Sequence, residues 1–361
     1  LKAYEGIAGS NEILNARFMG IMIGTVIVLI SLTPFFVHWL DPGYDIEIMG
    51  WKFLDYKGEY GPYGFWALVI SLLLPIGIGF GFGIYYWMKT RKLIEVTKKT
   101  DLLEKEFSGG LFQLGSRIGS GIPVESAFGS VAENMKGTPT GDFFGIVNNN
   151  IRNAGMGLKQ ALFDPKVGAV FNYPSHFIES SMKVLVESAR KGPAVVSRSL
   201  VTISQYMDRI RQVNERLNDL MADVLSSMTS QISFLTPIIA GIVVGVGSMV
   251  VTIINILGEQ FKGAGLEEGG FTGGISAIAG VLNIKDVIPG YQFQAVVGIY
   301  VVELTILLTI LSTSIERGVD DTTTHYRIGK NLFKGVILYV IISLIGIIVF
   351  NLLANAVGSV G

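Results

Sequence analysis

Long uncharged apolar runs alternate with polar segments along the chain, and five of the runs are long enough to cross a bilayer. A hydrocarbon core roughly 30 Å thick needs about 20 predominantly apolar residues in a helix. The predicted spans are 18–40, 65–88, 233–257, 292–315 and 335–356. The pattern therefore predicts an all-α fold, a polytopic membrane protein with about five transmembrane helices.

The apolar runs divide the chain into four regions. Residues 1–17 form a short polar N-terminal segment, and 18–88 holds a hairpin of two spans. Residues 89–232 form one large polar domain. The last region, 233–361, holds three spans, with a short polar loop at 316–334 between the fourth and the fifth.

The large polar domain has apolar positions spaced by three or four residues and no strand-like alternation, which predicts a helical bundle. Glycine and proline separate short predicted helices at about 102–118, 124–134, 143–153, 157–163 and 175–190. A helix of about 38 residues then starts at Ala194 and continues towards the third span. One apolar stripe follows it, made of Val196, Leu200, Ile203, Met207, Ile210, Leu217, Val224 and Met228.

The second span carries four glycines at alternate positions, Gly77, Gly79, Gly81 and Gly83. A glycine-rich series can cradle a phosphate, but this one lies inside an apolar run. Small residues let membrane helices approach closely, so the series indicates tight helix packing.

Charge sets the predicted orientation. The chain is 50% hydrophobic and 16% charged, with a net charge of −1. Eighteen of the 28 Lys and Arg residues lie in 89–232, four lie in 316–334, and the loops 41–64 and 258–291 hold two each. Because basic loops stay on the cytoplasmic side, we expect the N-terminus and 89–232 to be cytoplasmic and the C-terminus to be outside the cell membrane.

Residues with enzymatic potential are sparse. The chain has no cysteine, which removes disulfides and thiolate chemistry. Its three histidines, His38, His176 and His325, have no ligand-type spacing. Neither a P-loop nor a GxSxG motif is present. The sequence thus predicts a protein that is not an enzyme and has no catalytic, cofactor-binding or metal site.

Glu303 is an ionisable residue well inside a predicted span. Such a residue costs about 2.5–3.5 kcal/mol on insertion scales and is a functional candidate by default. One interpretation is structural or assembly-related, with a hydrogen bond to Ser248 or Thr252 of the third span. The other is an intramembrane ionisable site in a secondary transporter.

Basic residues of the cytoplasmic side form two candidate docking sets. Lys89, Arg91 and Lys92 are explained by topology and by contact with anionic lipid. The excess of basic over acidic residues in 89–232 is only 18 against 14, which is too weak for nucleic acid and suits an acidic protein surface. The first set lies far along the chain from either span: Arg190, Lys191, Arg198, Arg209 and Arg211. The second set, for which a topology signal is an equally good explanation, is Arg317, Arg327 and Lys330.

Three motifs in 89–232 resemble one known domain. LFQLGSRIGSGIPVESAF is similar to the opening of the F domain of type II secretion and type IV pilus platform proteins. NNNIRNAGMGLKQALFD resembles that domain's second helix pair, and VLVESARKG resembles the helix end that has a glutamate followed by glycine, here Glu187 and Gly192. The layout of spans looks most like the archaeal archaellum and type IV pilus platforms and the tight-adherence pilus proteins.

The resemblance implies a function in assembly. It implies a cell-membrane platform that couples a cytoplasmic hexameric ATPase to the insertion of pilin-like or archaellin-like subunits. The implied partners are that ATPase, the subunits, membrane lipid and a second copy of the chain. Nucleic acid is not among them. The basic sets would supply the ATPase contact, and the alternative remains a secondary transporter centred on Glu303.

Overall fold

The computed structural model describes residues 10–41, 44, 47–48, 51–52, 65–173, 175–263 and 289–358. Over these residues the fold is all-α, as predicted. Five helical segments are long and apolar enough to cross a membrane, and each overlaps one of the predicted spans. The second predicted span, 65–88, is divided between two helices at Leu72. The chain is a multi-pass membrane protein. The loops predicted at 41–64 and 258–291 fall largely outside the described residues, as do residues 1–9.

The helices, in chain order, have the following bounds. Before the polar domain lie α1 (Ser10–Leu40) and α2 (Phe65–Ser71), with a short antiparallel pairing of β1 (Glu47–Ile48) and β2 (Trp51–Lys52) between them. There follow α3 (Leu73–Gly119), α4 (Val124–Asn134), α5 (Pro139–Arg152), α6 (Leu158–Phe163), a 3₁₀ turn (Ala169–Asn172), α7 (His176–Ala189) and α8 (Pro193–Ser230). The chain continues with a π-helical turn (Gln231–Leu235), α9 (Thr236–Gly263), α10 (Gly290–Arg317) and α11 (Asp321–Gly358).

The chain divides into two compact units. The first, here the helical unit, comprises 1–16 and 89–223. The second, here the membrane unit, comprises 17–88 and 224–361. Helices α3 and α8 each contain residues of both units.

The helical unit has a core built around one stripe of α3. Leu103, Phe107, Leu111 and Leu114 recur every three or four residues and are fully buried. Three phenylalanines of α4 and α5 fill the space against them: Phe128, Phe143 and Phe144. The ring of Phe107 stacks on that of Phe144 at 5.8 Å and meets Phe143 edge-on at 5.6 Å. Rings in such geometries add to the area they bury, so this cluster holds the short helices on α3.

Helices α3 and α8 approach closely within the helical unit. A Cβ at Gly115 would lie 3.1 Å from both the Ser197 carbonyl oxygen and the Leu200 Cβ, so glycine permits the contact. Further along, Ser204 donates its hydroxyl hydrogen to the Ser108 carbonyl oxygen at 2.8 Å. Ser108 in turn donates to the Asp208 carboxylate at 2.9 Å. The pair of helices is thus held by small residues and by buried hydroxyls.

The glycine series of α3 packs two different helices, which confirms its predicted role. Gly77 and Gly81 face α1: a Cβ at Gly81 would lie 2.7 Å from a Val28 methyl group and 3.0 Å from the Gly24 carbonyl oxygen. Gly79 and Gly83 face α11 at Val336 and Phe333. Residues four apart share a helix face and those two apart do not. Because the glycines occur at every second position, one pair lies on the face of α3 towards α1 and the other pair on the face towards α11.

A second glycine contact joins α9 to α11. A Cβ at Gly245 would lie 2.9 Å from the Gly346 Cα, and a Cβ at Gly346 would lie 3.2 Å from the Gly245 Cα. Gly241 lies one turn before Gly245 in α9. A Cβ at Gly241 would meet the Ile342 side chain and the Ser343 backbone nitrogen. This close backbone approach is typical of small-residue packing in membranes.

Two predictions about where helices begin next to membrane spans are wrong. A separate helix starting at 102 does not exist, because α3 runs unbroken from Leu73 to Gly119. A change from apolar to charged side chains does not end a helix, and 89–102 contains neither glycine nor proline. The short polar loop at 316–334 is also mostly helix, since α11 begins at Asp321. Its start is fixed by Asp320, whose carboxylate accepts from the backbone N–H of Thr322 at 3.1 Å.

The apolar stripe predicted along α8 has two parts with different surroundings. Val196 and Leu200 are fully buried in the core of the helical unit, and Ile203 packs against that core. Leu217 and Val224 of the same stripe are exposed. The stripe therefore does not form one continuous buried contact.

Candidate functional site

The first candidate docking set begins at the turn between α7 and α8. Helix α7 is capped by the Ser175 hydroxyl oxygen, which accepts from the Ile178 N–H at 3.2 Å, and ends at Ala189. Gly192 has a φ of +104°, a left-handed conformation that suits glycine, and α8 starts at the next residue. This tight turn places Arg190 and Lys191 together on the surface, both exposed.

Arg198 and Arg209 extend the set along α8. They are 11 residues apart, which at about 100° per residue brings them to within about 20° of one face of the helix. Both side chains are exposed. Arg216, which the sequence did not single out as a docking residue, is exposed on the same face, 18 residues after Arg198. Its helical register with Arg198 is the signal that would have found it.

Four cations of the α7–α8 turn and of α8 have no counter-charge within the described part of the chain. No described residue forms an ion pair or a side-chain hydrogen bond with Arg190, Lys191, Arg198 or Arg209. Lys183 of α7 differs, because it donates to the Glu179 carboxylate at 2.7 Å and so lowers the pKa of that carboxyl group. These four side chains are therefore open to contact with an external acidic group.

Arg211 has a role within the chain. Its guanidinium donates to the Lys105 carbonyl oxygen of α3 at 3.2 Å. It also lies 3.6 Å from the Glu215 carboxylate and 4.0 Å from that of Asp208. The contact with Lys105 joins α8 to α3, so Arg211 is already engaged within the chain and is not part of the docking surface.

The second candidate set lies where α10 ends and α11 begins. Two of its members contact a carboxylate of the chain, and the third contacts none that the structure describes. Arg327 donates to both carboxylate oxygens of Glu316, one of them at 2.8 Å, and both side chains are half-buried. Arg317 lies 3.7 Å from the same carboxylate. Lys330 is exposed, with no partner among the described residues. Of this set, Lys330 is the cation left for an outside partner.

The three polar residues singled out in the spans do not come together. Ser248 donates to the Gly245 carbonyl oxygen at 2.7 Å, and Thr252 donates to the Ser248 carbonyl oxygen at 2.9 Å. Both hydroxyls thus bond within α9. Glu303 lies midway along α10 on its exposed side and has no partner among the described residues. The expected hydrogen bond from Ser248 or Thr252 to Glu303 is absent from the described structure.

A ladder of threonines lines the buried side of α10, and sequence analysis missed it. Thr305, Thr309 and Thr313 are buried, and each donates to the carbonyl oxygen four residues earlier, at 2.6–2.8 Å. Asn331 of α11 donates to the Thr309 hydroxyl oxygen at 3.1 Å. The spacing of four residues is the signal that would have found the ladder. It satisfies polar groups inside the membrane unit, so we assign it a packing role.

An apolar groove of about 300 Å³ opens along α1 and α3 in the membrane unit. Its lining includes Gly20, Gly24 and Gly81 together with apolar side chains such as Ile21, Leu29 and Phe82. Its mostly apolar lining, with the hydroxyls of Thr25 and Tyr85, suits an acyl chain or an apolar side chain.

Chemistry-bearing side chains are dispersed in the described part of the chain. It contains no group of three His, Asp or Glu side chains placed to hold a metal ion. His325 stacks on the Tyr86 ring with centroids 5.0 Å apart, and His176 is the first residue of α7. The side chain of His38 lies outside the described residues. The arrangement offers charged and apolar surfaces for binding.

Comparisons with protein-family models, with curated proteins and with solved structures find no match for this chain. The functional inference therefore depends on its own residues. Two features carry it: the cations of the α7–α8 turn and of α8 that have no partner among the described residues, and the exposed side chain of Glu303.

Proposed function

We propose that the chain is a cell-membrane platform of a type IV pilus-like, archaellum or type II secretion assembly machine. In this proposal a hexameric ATPase docks on the helical unit, and pilin-like or archaellin-like subunits dock on the membrane unit. The observation that carries it is the group of exposed, unpaired cations at Arg190, Lys191 and Arg198. The three F-domain-like motifs lie in the same helical unit.

The cation group supports contact with an acidic protein. Charges that already have an internal partner contribute little to a new interface, whereas free surface charges steer association with an oppositely charged surface. The helical unit lies between basic flanks on the side that the positive-inside bias assigns to the cytoplasm. An ATPase of that compartment fits both the sign and the location of these charges.

Glu303 supports a second contact, inside the membrane. Ionisable residues in spans usually face a bundle interior or a partner, yet Glu303 lies on the exposed side of α10. Tyr300 and Leu307, one turn to either side, are exposed as well. A carboxylate among lipid-facing side chains is stabilised when another helix brings a hydrogen-bond donor or a cation. The membrane helix of a subunit would supply it.

Coupling between the two contacts needs no chemistry in this chain. Helices α3 and α8 each belong to both units, and α8 leads through a π-helical turn into α9. A displacement of the helical unit by ATP hydrolysis in the partner can therefore pass along unbroken backbone. The ATPase supplies the energy and the platform conveys it.

Charge reversal tests the docking surface. Arg190→Glu, Lys191→Glu and Arg198→Glu together should weaken binding of the cell's secretion-type ATPase at least tenfold, because three favourable charges become repulsive. The matched control reverses Lys136, Lys159 and Lys166, which are also exposed and unpaired among the described residues but lie outside α7 and α8. Equal affinity of the two triple variants would place the ATPase contact elsewhere.

The transporter alternative has its own test. It needs Glu303 in an internal pathway, and the described structure places that side chain on the exterior of α10. In proteoliposomes, we expect the protein and its Glu303→Gln variant to show the same background ion flux. A flux carried by the protein and lost in Glu303→Gln would favour the transporter instead.

A further inference from the structure

The exposed side of α8 carries an apolar seam that follows its contacts with α3. The α8 seam consists of Tyr206, Ile210, Val213, Leu217 and Leu220, with steps of four, three, four and three residues. Tyr206 is 62% exposed, Val213 58%, Leu217 52% and Leu220 77%. Scattered apolar side chains are normal on a surface, but an aligned apolar row marks an interaction site.

Four of the five seam residues are exposed among the described residues, and Ile210 is half-buried. The α3-facing residues of α8 include Leu200, Ser204 and Asp208, and the seam lies about 160° around the helix from them at 100° per residue. Every residue in 211–220 is exposed. The core of the unit uses one side of α8 and leaves the other side open.

The spacing identifies the kind of partner. Steps that alternate between four and three residues average 3.5 per turn, which is the heptad repeat of a left-handed coiled coil. In this repeat Ile210 and Leu217 occupy a positions, and Tyr206, Val213 and Leu220 occupy d positions. Such a row packs knobs into holes against a second helix with the same repeat. A globular pocket or a sheet edge would not require this period.

We propose that the α8 seam pairs with the same seam of a second copy of the chain, as a parallel two-helix coiled coil. Helix α8 leads through the turn Gln231–Leu235 into α9, which is long and apolar enough to span a membrane. Two copies inserted the same way in one membrane present α8 in the same direction. Identical rows then meet in register around a two-fold axis.

The flanking residues suit parallel pairing. In a parallel dimer, a residue at position g faces the partner residue five positions further along, at position e. Arg209 then faces Asn214, and Arg216 faces Met221. An amide oxygen accepts from a guanidinium, and the arginine stem covers the methionine, so no two like charges oppose each other. An antiparallel arrangement centred on Val213 would instead bring Arg216 close to Arg209 of the second copy, which places two like charges together.

Membrane anchoring compensates for the short seam. Five apolar positions make less than three heptads, which is short for a coiled coil free in solution. Copies held in the same membrane meet at a high effective concentration, which favours a weak contact. The seam would thus operate in the full-length, membrane-inserted protein. This inference does not depend on the ATPase contact proposed above.

Disulfide trapping tests the seam, because the chain has no cysteine of its own. Val213→Cys and Leu220→Cys are made singly and oxidised mildly in native membranes. Glu215→Cys and Asp219→Cys are the controls, since both are exposed on the opposite side of α8. We expect a band of twice the chain's mass, identified as two copies by mass spectrometry, at the two seam positions and not at the controls.

Three outcomes would overturn the proposal. They are no dimer at either seam position, equal dimer at the control positions, or seam bands that contain a different polypeptide. A second measurement does not depend on disulfide formation. The double variant Leu217→Lys with Leu220→Lys, reconstituted in nanodiscs, should change from dimer to monomer in mass photometry. Its circular dichroism should remain helical. An unchanged dimer in that variant would also contradict the seam.

Discussion

Arg327 holds Glu316 with two hydrogen bonds across the turn that joins α10 to α11. The pair is half-buried and bidentate, the geometry in which an arginine–carboxylate contact contributes most. It fixes the end of one membrane helix to the start of the next. Because Arg327 already binds Glu316, this basic residue near the membrane is engaged within the chain and does not need an external partner.

Removal of this pair should destabilise the membrane unit. We expect Arg327→Gln to lower the free energy of unfolding by about 1–2 kcal/mol, because the Glu316 carboxylate loses a charged donor. Thermal unfolding of the protein in nanodiscs measures this loss of stability. Lys330→Gln, three residues along on the exposed side, should leave the melting temperature unchanged. Equal effects of the two substitutions would show that the pair contributes nothing.

Substitution by alanine should have opposite effects on stability at two adjacent glycines of α3, Gly109 and Gly110. A Cβ at Gly109 would meet nothing within 4 Å, so Gly109→Ala should stabilise the helical unit by about 0.5–1 kcal/mol through helix propensity. A Cβ at Gly110 would lie 2.7 Å from both the Phe144 ring and the Thr140 methyl group. Gly110→Ala should therefore destabilise the unit by about 1–3 kcal/mol. Chemical denaturation followed by circular dichroism compares the two, and a stabilising Gly110→Ala would contradict the packing of α5 on α3.

The contact between α1 and α3 can be tested in the same manner. A Cβ at Gly24 would lie 2.8 Å from the Gly81 carbonyl oxygen, a backbone atom that cannot move alone. A Cβ at Gly20, one turn earlier, would find its nearest atom at 3.4 Å, an ordinary contact distance. We expect Gly24→Ala to lower the melting temperature in nanodiscs by several degrees and Gly20→Ala to leave it nearly unchanged. The reverse order would mean that α1 packs on α3 through another face.

Tyr173 should make the helical unit less stable in alkali. Burial, with a smaller contribution from Asp142, raises the pKa of this phenol above its ordinary value of 10.0. Above that pH the unfolded chain releases the proton while the folded chain retains it, so stability falls as pH rises. Tyr173→Phe should reduce the slope of unfolding free energy against pH between about 10 and 11, with no change of slope between 7 and 9. An unchanged slope above pH 10 would show that the phenol is not shielded.

Much of the fold follows from local patterns in the sequence. The helix predicted at 124–134 has those bounds, because Pro123 and the glycine turn before it define its start. The helix predicted to start at 143 begins instead at Pro139, where the Thr138 hydroxyl oxygen accepts from the Gly141 N–H at 3.1 Å. A threonine followed by proline is a helix-start signal that hydrophobic periodicity alone overlooks.

The site was less predictable because pairing depends on tertiary contacts. Arg211 and Arg198 look alike in the sequence, yet Arg211 reaches the Lys105 carbonyl oxygen and Arg198 reaches no described residue. The side of α10 that carries Glu303 likewise depends on how α10 packs. Residue type and spacing indicate which side chains can act, whereas the structure determines which are already engaged.

Co-purification tests the central claim most directly. The detergent-solubilised full chain is purified from its own cells at low and at high salt, and bound proteins are identified by mass spectrometry. The platform proposal predicts a hexameric secretion-type ATPase bound at low salt and lost at high salt, because screening weakens contacts between exposed charges. A folded protein that retains no such ATPase at either salt concentration would contradict the proposal.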